Sequence, residues 1–281
     1  MFDTFLPERA LVNVGSVAIH WYGLFAAVAA VAAFLLGRFL AKRAGLSVET
    51  VGDAFFVSLV LGFIGARLWH VVGDLSYYLD HPAEILAVWN GGLALHGGLA
   101  FGGLALFWFA WRKGLSFLLL ADLFAPLLAL AHAIGRWGNY FNQELFGRPT
   151  DLPWGIPIAL GNRPSAFSDA THFHPTFLYE SLGLFAIAAF LVVWFLHRAQ
   201  IGHANDSYRG AVFAAYLVLT GALRIGVETL RVDVVLTWGD VRVPLVVSLL
   251  LTFGGLVMLL TKFRGHMKPP PQPTTYNLQP Q

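Results

Sequence analysis

The chain has no cysteine and little charge. The missing thiol removes disulfides, Cys-ligated metals and a covalent Cys nucleophile together, so any thiol in its chemistry belongs to a substrate. Charged residues make up 12% of the 281 and hydrophobic residues 57%, with a mean hydropathy of +0.65, whereas roughly a quarter of a soluble domain is charged. This composition excludes an ordinary soluble fold and predicts an integral membrane protein. A net charge of +2, with basic residues scattered in pairs, is too weak for a nucleic-acid surface, and nucleic acid is dismissed as a partner. The opening MFDTFLPERA lacks the basic stretch and small-residue cleavage site of a secretory signal, so the first apolar helix is expected to be retained. HExxH is absent and no aspartate cluster offers a magnesium site; no metal and no cofactor are expected.

What remains is a succession of apolar runs. A helix crosses hydrocarbon with about 20 mostly apolar residues, and about seven segments qualify, near residues 19–40, 52–73, 91–111, 117–136, 176–197, 210–230 and 243–262. The fold expected is all-α, a polytopic membrane helix bundle, with one transmembrane catalytic domain over 1–268. The Pro-, Gln- and Thr-rich segment 269–281 has almost nothing to bury and is expected to be a disordered cytoplasmic tail. Lys42, Arg43, Arg112, Lys113, Arg198, Arg209, Lys262, Arg264 and Lys268 fall in alternate loops. By the positive-inside rule these loops and the C-terminus are cytoplasmic, and the N-terminus is extracytoplasmic.

Against that background the stretch 135–155, GRWGNYFNQELFGRPTDLPWG, gathers Arg136, Asn139, Asn142, Gln143, Glu144, Arg148 and Asp151 at the end of an apolar segment. Charges at membrane depth are costly unless paired or wet, so they point to function. Other spans also carry charge at helical spacing: Arg67 with His70, His132 with Arg136, and Arg224 with Glu228 and Arg231. The segment 91–103, GGLALHGGLAFGG, surrounds His96 with glycines that permit close backbone approach by a helix or a ligand.

Arginine suits a phosphate in a low-dielectric site, because its planar fork makes bidentate, charge-assisted hydrogen bonds and stays protonated. Arg136 and Arg224 are the natural clamps. Asn139, Asn142 and Gln143 can hold hydroxyls or carbonyl oxygens, and Glu144 and Glu228 can orient the arginines or take a proton. His96 is the candidate general base, since imidazole exchanges protons near neutral pH. Each residue also has a plainer reading. Arg67 and His70 serve equally well as a structural pair, a structural role leads for His132, and the stripe on residues 224–231 makes sense as an internal salt bridge. Trp21, Tyr22, Trp89 and Trp154 fit an interfacial belt.

Together HWYGL (20–24), LHGGL (95–99), the stretch 135–155, HPTFLYE (174–180) and RIGVETLR (224–231) resemble the bacterial prolipoprotein diacylglyceryl transferases. The match covers nearly every span in order, and GRxGNxxNxELFGRPTD is its specific part. The resemblance implies a seven-helix protein of the bacterial cytoplasmic (inner) membrane, with its active site toward the extracytoplasmic side. It implies transfer of the sn-1,2-diacylglyceryl group of phosphatidylglycerol to the lipobox cysteine of a preprolipoprotein signal peptide, releasing glycerol-1-phosphate. By the same resemblance Arg136 and Arg224 engage the headgroup, and Asn139, Asn142, Glu144 and Gly147 lie in the signature. His96 matches a proposed base, Tyr22 a functional tyrosine, and Glu228 and Arg231 polar family positions. Two departures stand out: Gln143 where glycine is common, and Thr220 where some members carry tyrosine. The segment 234–243 matches less well and carries no site assignment. Which of His96 and Glu144 is the base stays open. The rivals are a transporter or flippase, against which the lack of a convincing internal repeat counts, and a water-using phospholipid enzyme.

Overall fold

The structure is a computed structural model and describes residues 5–14, 17–201, 209–233, 235, 237–238 and 241–264. The expected tail at 269–281 lies outside the described residues. Long helices occupy Trp21–Arg43 (α1), Val48–Gly73 (α2), Leu95–Arg112 (α4), Phe117–Phe141 (α5), Thr176–Ile201 (α6), Ala211–Glu228 (α7) and Val243–Arg264 (α8), with a short α3 at Leu75–Asp80 between α2 and α4. Six of them are long and apolar enough to cross a membrane. The seventh long helix, α4, spans 18 residues diluted by four glycines, His96 and Arg112.

Local chemistry sets the helix ends. RAGLS (43–47) and RKGLS (112–116) close α1 and α4 in the same way: Gly45 and Gly114 take φ of +68° and +64°, which favours glycine. The amide of Leu46 reaches back to Ala41 and that of Leu115 to Ala110, both at 2.9 Å, satisfying last-turn carbonyls. Ser47 and Ser116 then cap α2 and α5 by accepting from the amides of Thr50 and Leu119. The cap of α7 comes from far away, because the buried Asp122 of α5 accepts from the amides of Gly210 (2.7 Å) and Phe213 (2.9 Å). That anion at a helix N-terminus ties α7 to α5.

The expected span 91–111 begins late, at Leu95. Gly91 and Gly92 have φ of +91° and +78° and form a turn. Arg67 pins that turn, donating to the carbonyls of Gly91 (2.7 Å), Gly92 (2.8 Å), Ile85 (2.9 Å) and Glu84 (2.5 Å). Of the two readings of Arg67 the structural one is therefore what the geometry displays. The later glycines serve helix packing: a Cβ on Gly97 would lie 2.4 Å from the carbonyl oxygen of Gly65, and one on Gly65 would lie 2.3 Å from the Phe101 side chain. Small residues thus let α2 and α4 lie backbone to backbone.

The main core gathers Leu40, Leu123, Leu191, Val212 and Phe195 in the middle of the bundle. A second core of Tyr140, Phe146, Ile156, Ile158, Phe173 and Phe177 folds the long loop after α5 back onto the ends of α5 and α6. Three antiparallel pairs not foreseen in an all-α reading trim the loops: β1 (Ala10–Val14) with β2 (Val17–His20), β3 (Ile156–Pro157) with β4 (His172–Phe173), and β5 (Thr237–Trp238) with β6 (Val241–Arg242).

Candidate active site

The C-terminal turns of α5 and α7 and the N-terminal turns of α6 meet under this loop. Arg136 lies five residues before the end of α5, Glu180 four residues into α6 and Arg224 four residues before the end of α7. At 1.5 Å per residue each is about 6–8 Å below its helix end. The charges are therefore inside the bundle rather than at its rim.

Glu180 joins them. It is 4% exposed and pairs with Arg136 through Nε, with Arg224 through Nη1, and with Arg231 at 3.8 Å. From there the network runs outward: Arg224 Nη2 meets Glu228 at 3.0 Å, Glu228 accepts from Arg242 Nε at 2.6 Å, and Asp233 takes Arg231 through Nε and Nη2 at 2.7 and 2.8 Å. Arg242 also donates to the carbonyl oxygen of Asp233 at 3.1 Å. Four guanidiniums (Arg136, Arg224, Arg231, Arg242) face three carboxylates (Glu180, Glu228, Asp233), a formal excess of one positive charge. In a low-dielectric bundle such an excess attracts one anionic group.

The members are not equally available. The Arg231 side chain is 2% exposed and held in a bidentate pair, while those of Arg136, Arg224 and Arg242 are 12%, 21% and 26% exposed. Arg231 is therefore closed off as a strut, and the other three keep partly exposed guanidiniums, of which Arg136 and Arg224 share Glu180. The Arg224–Glu228–Arg231 stripe is an ion-paired unit, but it is not closed on itself, because Glu180 and Arg242 enter from other elements.

On the other flank, Arg136 Nη1 donates to Asn139 Oδ1 at 3.2 Å and Nη2 lies 3.2 Å from His132 Nε2. Asn139 Nδ2 donates to Glu144 at 2.7 Å and Asn142 Nδ2 to the same oxygen at 3.3 Å. The GRxGNxxNxE spacing thus builds one chain, His132–Arg136–Asn139–Glu144–Asn142, along the end of α5. Gly138, inside that signature, admits the Tyr22 ring, which would lie 2.6 Å from a Cβ there. Glu144 and Arg136 are the charged neighbours of the Tyr22 phenol. Gly147 is required for a different reason: it pairs backbone to backbone with Arg231, and a Cβ would lie 2.7 Å from that of His174.

Gln143 takes φ of +53°, a left-handed conformation that glycine adopts more cheaply. Its side chain offsets that cost by donating to the carbonyl oxygen of Pro7 (2.7 Å) and accepting from Ala159 N (2.7 Å) and Asn162 Nδ2 (3.2 Å). Gln143 is thus a staple among three loop segments rather than a free amide for a ligand.

His96 stands apart. It is exposed on the first turn of α4, and among the described residues no hydrogen bond or ion pair joins it to the arginine network. His70 packs edge-on against Tyr78 and, with Arg67, Asp74, Tyr77 and Glu84, lines a separate polar recess. There Tyr77 donates to Glu84 at 2.9 Å, and that bond pushes its phenol pKa above the ordinary value. Of the aromatics assigned to a belt, Trp21 instead stacks on Phe141 at 4.4 Å and Trp154 donates to Tyr179 OH at 2.8 Å, while Trp89 is exposed.

Three members of the network carried no role in the sequence reading: Glu180, Asp233 and Arg242. An acid inside the apolar run TFLYESLGLF was a legible signal for Glu180. Asp233 and Arg242 lie between α7 and α8, with no periodicity to reveal them.

A family model described as prolipoprotein diacylglyceryl transferase matches residues 9–261. Relatives named phosphatidylglycerol–prolipoprotein diacylglyceryl transferase include those of Trichormus variabilis, 41% identical over 262 residues (92% of this chain and 92% of that protein), and a Nostoc species, 40% identical over 262 residues (92% and 91%). That of Finegoldia magna is 35% identical over 251 residues (89% and 94%).

Proposed function

The chain belongs to the prolipoprotein diacylglyceryl transferase family, and on that premise we propose that it moves the diacylglyceryl group of phosphatidylglycerol to the lipobox cysteine of a preprolipoprotein, the first step of bacterial lipoprotein maturation. The observation that carries this reading is the arginine network: a cationic excess of one, set inside the bundle, with Arg136 and Arg224 converging on it from two helices. A phosphodiester monoanion is the ligand such a site matches.

The reaction this network supports is a direct displacement. The substrate cysteine loses its proton to His96 and attacks the glyceryl carbon bonded to the phosphate oxygen. A carbon–sulfur bond forms, the carbon–oxygen bond breaks, and the electron pair leaves on glycerol-1-phosphate. Arg136 and Arg224 stabilise the charge that gathers on the departing phosphate, and fixed donors in a dry site do this at little reorganisation cost. Asn139 and Asn142 hold Glu144, and Asn139 also holds Arg136, so the signature presents the clamp in one orientation. Among the described residues no hydrogen bond engages the His96 ring, whereas an oxygen of Glu144 already accepts from two amides; that favours His96 as the base. The absence of an enzyme cysteine agrees with direct transfer from lipid to peptide thiol.

We place the protein in the bacterial inner membrane, with the loop end of the bundle extracytoplasmic, where lipoprotein precursors present their cysteine. Expression in a bacterium depleted of its own prolipoprotein diacylglyceryl transferase tests the reading. Growth and the mobility shift of a lipoprotein precursor should return; accumulation of unmodified precursor, with the protein present in the membrane, would refute it.

A further inference from the structure

Glu180 is, among the described residues, the one carboxylate paired with both Arg136 and Arg224. It therefore occupies the same donors that the phosphate must use, which is more than a structural counter-ion requires. The charges explain why. With the three carboxylates in place the network carries one excess positive charge, matched to a phosphodiester. The product is a phosphate monoester with about 1.5–2 negative charges near pH 7. Unopposed arginines would bind that product more tightly than the substrate, and turnover would stall on release.

We propose that Glu180 is the positioning residue that expels the product. Its carboxylate is 4% exposed and held on the inner side of the network, also facing Arg231 at 3.8 Å. Arg224, whose side chain is 21% exposed, is the partner that can turn to the ligand, while Arg136 at 12% is the deeper anchor. When phosphatidylglycerol binds, Arg224 exchanges Glu180 for the phosphate. Once the carbon–oxygen bond has broken, Glu180 competes for Arg224 from within the protein, where its effective concentration is high, and the glycerol phosphate leaves. Arg231, locked to Asp233, keeps Glu180 from following it.

The inference rests on the assignment of the phosphate to this network. Its test is steady-state transfer by purified full-length Glu180→Gln, with sn-glycerol-1-phosphate added as inhibitor. The expected result is a kcat lowered about tenfold or more, an unchanged or lower KM for phosphatidylglycerol, and inhibition by glycerol phosphate tightened about tenfold, because one opposing charge is gone. Glu180→Asp, which keeps the charge but reaches less far, should fall between the two and serves if the glutamine variant does not fold. Inhibition by glycerol phosphate that is no tighter in a folded glutamine variant than in the wild type overturns the proposal. A folded wild type with no transfer at all overturns the function itself.

Discussion

Replacing Arg136 with alanine is expected to lower diacylglyceryl transfer by about three orders of magnitude, the usual worth of a fixed donor on developing negative charge. The change removes the deeper of the two guanidiniums that share Glu180, together with its bonds to Asn139 and His132. Glu180 keeps Arg224 and Arg231 as partners, so it is not left as an unpaired buried charge, and the protein should remain folded. Loss of activity would then report on chemistry rather than collapse, which a melting curve beside the assay would confirm. Arg224→Lys sharpens the point. Arg224 uses separate nitrogens for Glu180 and Glu228, and an ammonium cannot span both and still present a fork to phosphate. Transfer should fall about a hundredfold; a near-normal rate would remove the clamp role from this position.

His96→Gln is expected to slow transfer by about two to four orders of magnitude, the range of a general base, while phosphatidylglycerol binding stays near normal. The two effects separate because, among the described residues, no bond joins His96 to the arginine network, so its loss leaves the phosphate site intact. Binding would be read with the lipid in detergent and turnover with a lipobox peptide. Weakened lipid binding with unchanged turnover would reverse the assignment and leave Glu144, the carboxylate beside Tyr22, as the group to examine for the proton.

The junctions α1–α2 and α4–α5 were legible because they end on local chemistry. The two Gly-Leu-Ser stops after α1 and α4 write a Schellman turn and a serine cap directly into the chain. The span 91–111 was misplaced at its start because Gly91 and Gly92 count as permissible in an apolar window, and only their positive φ shows that the chain turns there. Arg136 and Arg224 stood out because charges in apolar helices announce themselves, and Asn139 and Glu144 because they follow Arg136 in one polar stretch. The connection between them was not found, since Arg136, Glu180 and Arg224 come from three helices and no spacing in one helix encodes a contact to another. Arg242 and Asp233 were out of reach for a related reason: their value comes from contacts of Arg242 with Glu228 of α7 and with Asp233. Gln143 was noticed as a departure from glycine, and the structure supplies what replaces it, a side chain that staples three segments.

The most direct measurement is to incubate the purified protein with phosphatidylglycerol and a lipobox peptide, weighing the peptide and counting released glycerol phosphate, beside Arg136→Ala. One diacylglyceryl group added to the cysteine per glycerol phosphate released, abolished in the variant, is the result expected of an arginine-clamped transferase. Glycerol phosphate released without peptide modification, or a variant as active as the parent, would contradict it.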